Sequence, residues 1–243
     1  MPINRPYLHK DEVANSLWRK YERTPEFASG EEQAISSVHT LVRAAESQGL
    51  ERIIQKFVAS LRQQTLLLRD IYENRSSTEW IDEWCEMHSL LFKSVFRNRG
   101  ELRQSGHQVR FGFPGDEDLH RIPLGGGPTL TELHLLARQI SEDLTYVSKE
   151  DVNSVCTFLA RSHYGFIRVH PFGDGNGRIG RAITDQLALC LGYPPIIAGF
   201  PRLDEGKKER YHEAITACIG DPSCNILAEW TKAQIAAKLS ELA

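Results

Sequence analysis

Twelve residues near the middle of the chain, His170 to Arg181, read HPFGDGNGRIGR and gather the groups that phosphate chemistry needs. The imidazole of His170 belongs to a side chain that titrates near neutrality and can take a proton from an attacking hydroxyl. Asp174 supplies a hard carboxylate oxygen of the kind Mg²⁺ takes beside phosphate oxygens. The glycines between them let backbone N–H groups approach an anion, and successive N–H groups in a turn form an anion-binding nest. Ile179, Ile183, Leu187 and Leu191 then recur every four residues until Gly192 and Pro194, which predicts a helix. A glycine turn opening onto a helix N-terminus suits phosphate, because N–H groups and the macrodipole both face the ligand. Arg178 and Arg181, three apart, share one face of that helix and can reach outer phosphates. The reading is a polyphosphate cradle with a histidine at its rim.

Gly175 to Gly180 also satisfies GxGxxG, the dinucleotide fingerprint. That pattern requires a preceding strand, a βαβ unit and an acidic residue about 20 positions on. The corresponding region, Pro194 to Phe200, holds no acid, and strands and helices do not alternate around it. His163 and His170 lie seven apart, a rise of about 10.5 Å on a helix. Helical zinc ligands come closer, so His163 is expected to pack rather than bind metal.

The elements that must carry this loop are mostly helical. Apolar spacing of three and four predicts helices over about 10–23, 31–48 and 50–72, together an N-terminal helical lobe over 1–75. From Thr78, Ile81, Trp84, Cys85, His88, Leu91, Phe92 and Val95 mark a further amphipathic helix, with His88 as a hydrogen-bonded core residue. The helical period stops between Asn98 and Pro128. There Val109, Phe111 and Phe113 alternate, then Ile122 and Leu124, which predicts a short β-hairpin over about 107–124. Gly125-Gly126-Gly127 lacks the GK[ST] of a P-loop and reads as a flexible connector. A helix follows from Thr129, and another after a box-like start at Ser148 and Asp151 carries Val152, Val155, Leu159, His163, Phe166, Ile167 and His170 on one face. Asp204 caps a helix with Tyr211, Ile215 and Cys218, and Asp221-Pro222 opens the last one. The expected fold is mainly α with one small hairpin, divided into 1–75 and a catalytic domain over 76–243.

With 243 residues, 25% charged and 41% apolar, the chain can bury a sizeable core. A net charge of −3 makes no general case for nucleic-acid or membrane binding. Five scattered cysteines without CxxC spacing read as reduced thiols, four in apolar patterns and Cys224 at the surface. The N-terminus lacks an apolar signal region, and no run approaches 18 apolar residues, so the expected location is cytoplasmic, from which a secretion system could still export the protein.

The central segment matches HxFx(D/E)GNGRxxR at every specified position and so resembles the Fic (Fido) family of protein-modifying transferases. Eight specified positions make a chance match on the order of 10⁻¹⁰ per window at average residue usage. A weaker likeness extends to Leu90-Leu-Phe and Gly100-Glu-Leu-Arg103, so that the resemblance spans about 78–195. It implies a Fic-type helical core with a hairpin flap, and a Mg-dependent nucleotidyltransferase that moves AMP from ATP to a Ser, Thr or Tyr hydroxyl of a protein, releasing pyrophosphate. Position by position, it makes His170 the general base, Phe172 the anchor of the loop and Asp174 the Mg²⁺ ligand. Gly175, Asn176 and Gly177 become the anion hole, and Arg178 and Arg181 the ligands of outer phosphates. Glycine at 177 points to the adenylyl-transferring branch, since the phosphate-transferring Doc branch has lysine there.

The same likeness implies a target protein docked along the flap by β-augmentation. Many family members are inhibited by a glutamate in (S/T)xxxE(G/N). The nearest match here is Arg69 to Asn74, with arginine in the first position, which makes Glu73 the candidate inhibitor, with a separate inhibitory partner as the other option. Self-modification is a further expectation. The residues leave two alternatives open: another donor such as UTP, GTP or CDP-choline in the same cradle, and a nucleotide-binding scaffold without turnover.

Overall fold

The structure, a computed structural model, describes residues 72–92, 99–105, 125–193, 196 and 205–242. Among them are six helices and no strand: α1 Ser77–Leu91, α2 Gly127–Tyr146, α3 Val152–Val169, α4 Asn176–Cys190, α5 Glu205–Thr216 and α6 Asn225–Leu242. The hairpin expected over 107–124, the Asp204 cap, Val95 and nearly all of the expected 1–75 lobe lie outside the described residues. The chain divides into two compact units, Met1–Ser60 with Cys85–Glu101, and Leu61–Trp84 with Leu102–Ala243. The glycine loop and the helices around it belong to the second.

α3 is the central helix of that unit and packs against α2, α4 and α6. Its sequence explains why. Val155, Leu159, His163, Phe166 and Ile167 are buried as the spacing predicts, and Cys156, Phe158, Ala160 and Val169 are buried as well, so apolar residues wrap most of the helix. Gly165 brings α2 close, since a Cβ there would stand 2.6 Å from Leu136 Cδ1. The helix starts one turn from the expected box. Asp151 itself is the N-cap, its carboxylate accepting from Asn153 N at 2.9 Å, while Ser148 turns toward Glu150.

α1 opens on a full capping box. Ser76 Oγ accepts from Glu79 N at 3.2 Å, and the Glu79 carboxylate accepts from Ser76 N at 2.8 Å. In the second unit its Trp80 and Trp84 form a column of rings. Tyr72 stacks on Trp80 at 5.0 Å, Trp80 meets Trp84 at 5.8 Å, and Trp84 meets Phe166 edge-on at 5.5 Å. Phe166 then meets Phe172 of the glycine loop at 6.4 Å. Trp80, Trp84, Phe166 and Phe172 are fully buried, so each contributes on the order of 2 kcal/mol of burial and locks its neighbours. The Trp80 indole N–H is satisfied by Ser141 Oγ at 2.8 Å. In the first unit, His88 is a core histidine as expected, its Nδ1 accepting from Gly100 N at 2.8 Å.

The stripe after the glycine turn is confirmed. Ile179, Ile183, Leu187 and Leu191 are all buried, and α4 ends in a Schellman pair, Tyr193 N to Ala188 O and Gly192 N to Leu189 O. Two expectations are corrected. The triple glycine is an ordered junction: Gly126 caps α2 at φ 83° and ψ −133°, and its N–H donates to Arg103 O at 2.7 Å. That backbone region is essentially closed to other residues, and a Cβ would also stand 3.1 Å from Ser105 N. Cys224 is buried rather than at the surface, because it lies at φ 53° in the tight link between α5 and α6, its thiol against that of Cys218. Among the other thiols Cys156 and Cys218 are buried, whereas Cys85 and Cys190 are half-buried.

Candidate active site

The loop between α3 and α4 is fixed at both ends and in its middle. At its start, His170 leaves α3 in the left-handed conformation, φ 50° and ψ 57°, while its N–H still bonds Phe166 O at 3.0 Å. In its middle, Phe172 closes the aromatic column. Asn176, itself buried, holds both backbone groups of Phe172: Oδ1 accepts from Phe172 N at 2.8 Å and Nδ2 donates to Phe172 O at 2.7 Å. The side chain of Asn176 therefore shapes the loop from within, and its contribution to an anion can come only through its backbone N–H. At the loop's end Gly175 is the N-cap of α4 at φ 83°, a left-handed position that glycine adopts without strain. Arg178 N and Ile179 N both donate to Gly175 O at 3.0 Å. The N–H groups of Asn176 and Gly177 precede these two at the open end of the helix, where donors have no partner in the ladder.

His170 is half-buried, and its Nδ1 lies 3.2 Å from Ile167 O. A carbonyl oxygen only accepts, so Nδ1 carries the proton and Nε2 presents a lone pair. That is the tautomer a general base requires. The sequence reading did not find this contact, although the i to i−3 relation at a helix C-terminus could have suggested it.

Arg103, almost fully buried, braces the same turn. Its N–H donates to Pro171 O at 2.8 Å, its Nε to His170 O at 2.6 Å, and its Nη2 to Val169 O and Thr129 Oγ1, each at 3.3 Å. Two successive carbonyls at the C-terminus of α3 thus face the guanidinium and a third faces the backbone N–H of the same residue, at an end where the macrodipole also favours a cation. The motif comparison touched Arg103 but gave it no role.

Asp174 is about half exposed. Its Oδ1 accepts from Gly175 N at 2.5 Å and from Arg178 Nη2 at 3.1 Å, a pairing one helical turn apart. No group of three or more His, Cys, Asp or Glu suited to a metal occurs among the described residues. A single exposed carboxylate beside an anion nest fits Mg²⁺ carried in on phosphate, which needs one or two carboxylates and no protein cage. It does not fit a resident metal.

Arg181 and Gly177 lie next to each other: a Cβ at 177 would stand 3.4 Å from Arg181 Nη1. The Arg181 guanidinium carbon lies 6.0 Å from the centroid of the Tyr211 ring. His163, expected to pack, does so with both ring nitrogens engaged, Nδ1 at 2.9 Å from Thr184 Oγ1 and Nε2 at 2.6 Å from Tyr211 OH. Burial drives its pKa down to about 4, opposed by the Gly180 carbonyl and assisted by the Arg181 charge. Glu73 stands half-buried in a helical turn ending at Asn74. The structure thus brings His170, Asp174, Gly175, Asn176, Gly177, Arg178 and Arg181 onto one loop and the first turns of one helix.

This loop with its helices defines a class. Residues 79–188 match the model of the Fic/DOC family. Over 115 residues the chain is 31% identical to the protein adenylyltransferase Fic of Drosophila grimshawi, covering 46% of this chain and 22% of that one. It is 33% identical over 113 residues to the protein of the same name from Drosophila melanogaster, covering 46% and 21%. The matched stretch is thus about a fifth of those relatives' length. Among solved structures, a variant fragment of Fic-1 from C. elegans superposes with a TM-score of 0.57 at 20% identity, over 83% of this chain and 52% of that one. A Fic-domain signaling protein from Bacteroides thetaiotaomicron gives 0.55 at 19%, over 80% and 69%. These likenesses establish a Fic-type helical fold. No helix among the described residues is long and apolar enough to cross a membrane.

Proposed function

We propose that the chain is a protein adenylyltransferase that moves AMP from ATP to a Ser, Thr or Tyr hydroxyl. The observation that supports this is His170: its Nδ1 lies 3.2 Å from Ile167 O, which favours the Nδ1–H tautomer, and it sits on the loop that leads into the N-terminus of α4. The adenylyltransferase names of the relatives agree with it.

In this reading the triphosphate lies across the α4 N-terminus. The target hydroxyl attacks the α-phosphorus, its proton passes to His170 Nε2, and the bond to pyrophosphate breaks. The N–H groups of Asn176 and Gly177 hold the inner phosphates, and Arg178 and Arg181 hold the departing pyrophosphate, where negative charge grows. Asp174 would hold a Mg²⁺ ion brought in with the nucleotide, which would supply further neutralisation of that charge. Arg103 and Asn176 keep the loop from moving as charge shifts, and preorganisation of this kind accounts for much of the effect of such a site.

The target protein docks along the 107–124 segment, in the flap role that the family resemblance implies, and the reaction belongs to the cytoplasm. Glu73 is the proposed internal brake on Arg181. Glu73→Gly should raise self-labelling from ATP several-fold, and unchanged labelling would transfer that role to a separate inhibitory protein. The function itself is tested by incubating the chain and a lysate with α-labelled ATP, UTP, GTP or CDP-choline, with and without His170→Ala. Transfer from ATP that His170→Ala abolishes supports the proposal. Transfer from another donor replaces ATP, and labelling indifferent to His170 leaves a nucleotide-binding scaffold.

A further inference from the structure

A cavity of about 400 Å³ opens between α2, α3 and the link from α5 to α6. It lies across α3 from the helix that carries the nucleotide loop. His163, Phe166 and Ile167 face Gly180 of α4, whereas Arg161, Tyr164 and Arg168 line the cavity. The two sets are offset by two positions, which on a helix is a turn of about 200°. Leu136, Ile140 and Pro222 make part of the cavity wall apolar. A concave space of roughly 300–1,000 Å³, mostly apolar with a few placed polar groups, is the usual form of a small-molecule site.

The polar groups on this lining have bonding capacity left over. Arg161 Nη1 stands 4.0 Å from Asp143 Oδ2, an ion pair too long for a hydrogen bond. Asp143 Oδ1 accepts from Gln139 Nε2 at 2.7 Å, while Oδ2 has no hydrogen-bond partner among the described residues. Ser162 is only 4% exposed, yet its hydroxyl and that of half-buried Tyr164 also lack a partner among the described residues. Arg168 differs, since Glu132 closes it at 2.8 Å. The cavity therefore presents one guanidinium and one carboxylate side by side, with two hydroxyls on the same lining. An anion would meet the like charge of Asp143, and a cation that of Arg161. A ligand bearing both charges pairs with each.

We propose that this cavity binds a zwitterionic α-amino acid with an aromatic side chain. Its carboxylate takes donors from Arg161 and a lining hydroxyl, its ammonium donates to Asp143 Oδ2, and its ring covers Leu136, Ile140 and Pro222. The site goes beyond the nucleotide chemistry and does not depend on it.

The test is calorimetric titration of the full chain with L-phenylalanine and L-tryptophan. For comparison, 3-phenylpropionate lacks the ammonium, phenethylamine lacks the carboxylate, and glycine lacks the ring. L-Phenylalanine should bind about tenfold or more tightly than either truncated analogue, the size of one hydrogen bond to a charged group, and glycine should not bind measurably. Arg161→Met should abolish the advantage over phenethylamine, and Asp143→Asn the advantage over 3-phenylpropionate. Ser162→Ala should weaken L-phenylalanine several-fold. The ligand comparisons on the unaltered chain stand whether or not the variants fold. Failure of both amino acids to bind at millimolar concentration overturns the inference. So does equal binding of L-phenylalanine and either analogue, or an advantage that survives loss of its partner in a folded variant.

Discussion

Arg103 Nε donates to the carbonyl oxygen of His170 at 2.6 Å across 67 residues of sequence, joining a segment before α2 to the residue that ends α3. The same guanidinium also reaches Val169 O. Lysine keeps the charge but offers one point donor in place of a fork, so it cannot satisfy both the Nε and the Nη2 acceptors. Arg103→Lys should lower the unfolding free energy by about 2 kcal/mol, the cost of buried acceptors left unpaired. It should also slow transfer of labelled AMP by roughly tenfold or more through misplacement of the base. Urea unfolding and single-turnover rates measure the two effects, and a variant with the wild-type rate would show that the brace does not serve His170.

Asn176 offers a sharper separation. Asn176→Asp retains an acceptor for Phe172 N but sets a carboxylate oxygen against Phe172 O, where Nδ2 now donates at 2.7 Å. The variant should lose about 3 kcal/mol at neutral pH, since two acceptors then meet in a buried place. Part of the loss should return on acidification, when the carboxyl becomes a donor. Denaturation midpoints across pH that run parallel to wild type would contradict this account of the loop.

His163 makes a prediction for the wild-type chain. Its folded pKa is depressed to about 4 from the ordinary 6.5, chiefly by desolvation. Below 6.5 the unfolded chain binds a proton that the folded chain refuses, so acid favours unfolding. The contribution is fully present above pH 6.5, declines as pH falls toward 4, and is gone below it. Its size is roughly 3 kcal/mol, from the shift and 1.36 kcal/mol per unit. Other groups add their own slopes, and His163→Gln removes this one. The stability gap between wild type and His163→Gln should therefore narrow from pH 7 to pH 4 by up to that amount. A constant gap would place a charged histidine in the native core.

The site was largely legible because its signals are local. The loop carries its own turn glycines and its own helix signature, and Ile179, Ile183, Leu187 and Leu191 repeat at a spacing that only a helix buries together. The Ser76–Glu79 box was equally local and passed unread, which moved the start of α1 by a residue or two. Arg103 was of another kind. It acts on the loop from far along the chain, and no spacing rule marks an arginine whose acceptors are three backbone carbonyls. His163 was correctly placed in the core, but its partner Tyr211, 48 residues away, could not be named from periodicity. Cys224 failed for a related reason: neighbouring Pro222 and Ser223 suggest a surface turn, yet the turn folds that thiol inward.

The backbone of His170 holds a conformation that glycine would take at no cost and that most side chains avoid. One residue must both stop a helix and bear an imidazole, and the first task favours the amino acid least able to do the second. Glycine at this position would relieve the backbone and remove the imidazole, so the chain carries a local conformational cost at His170 that ending a helix does not by itself require.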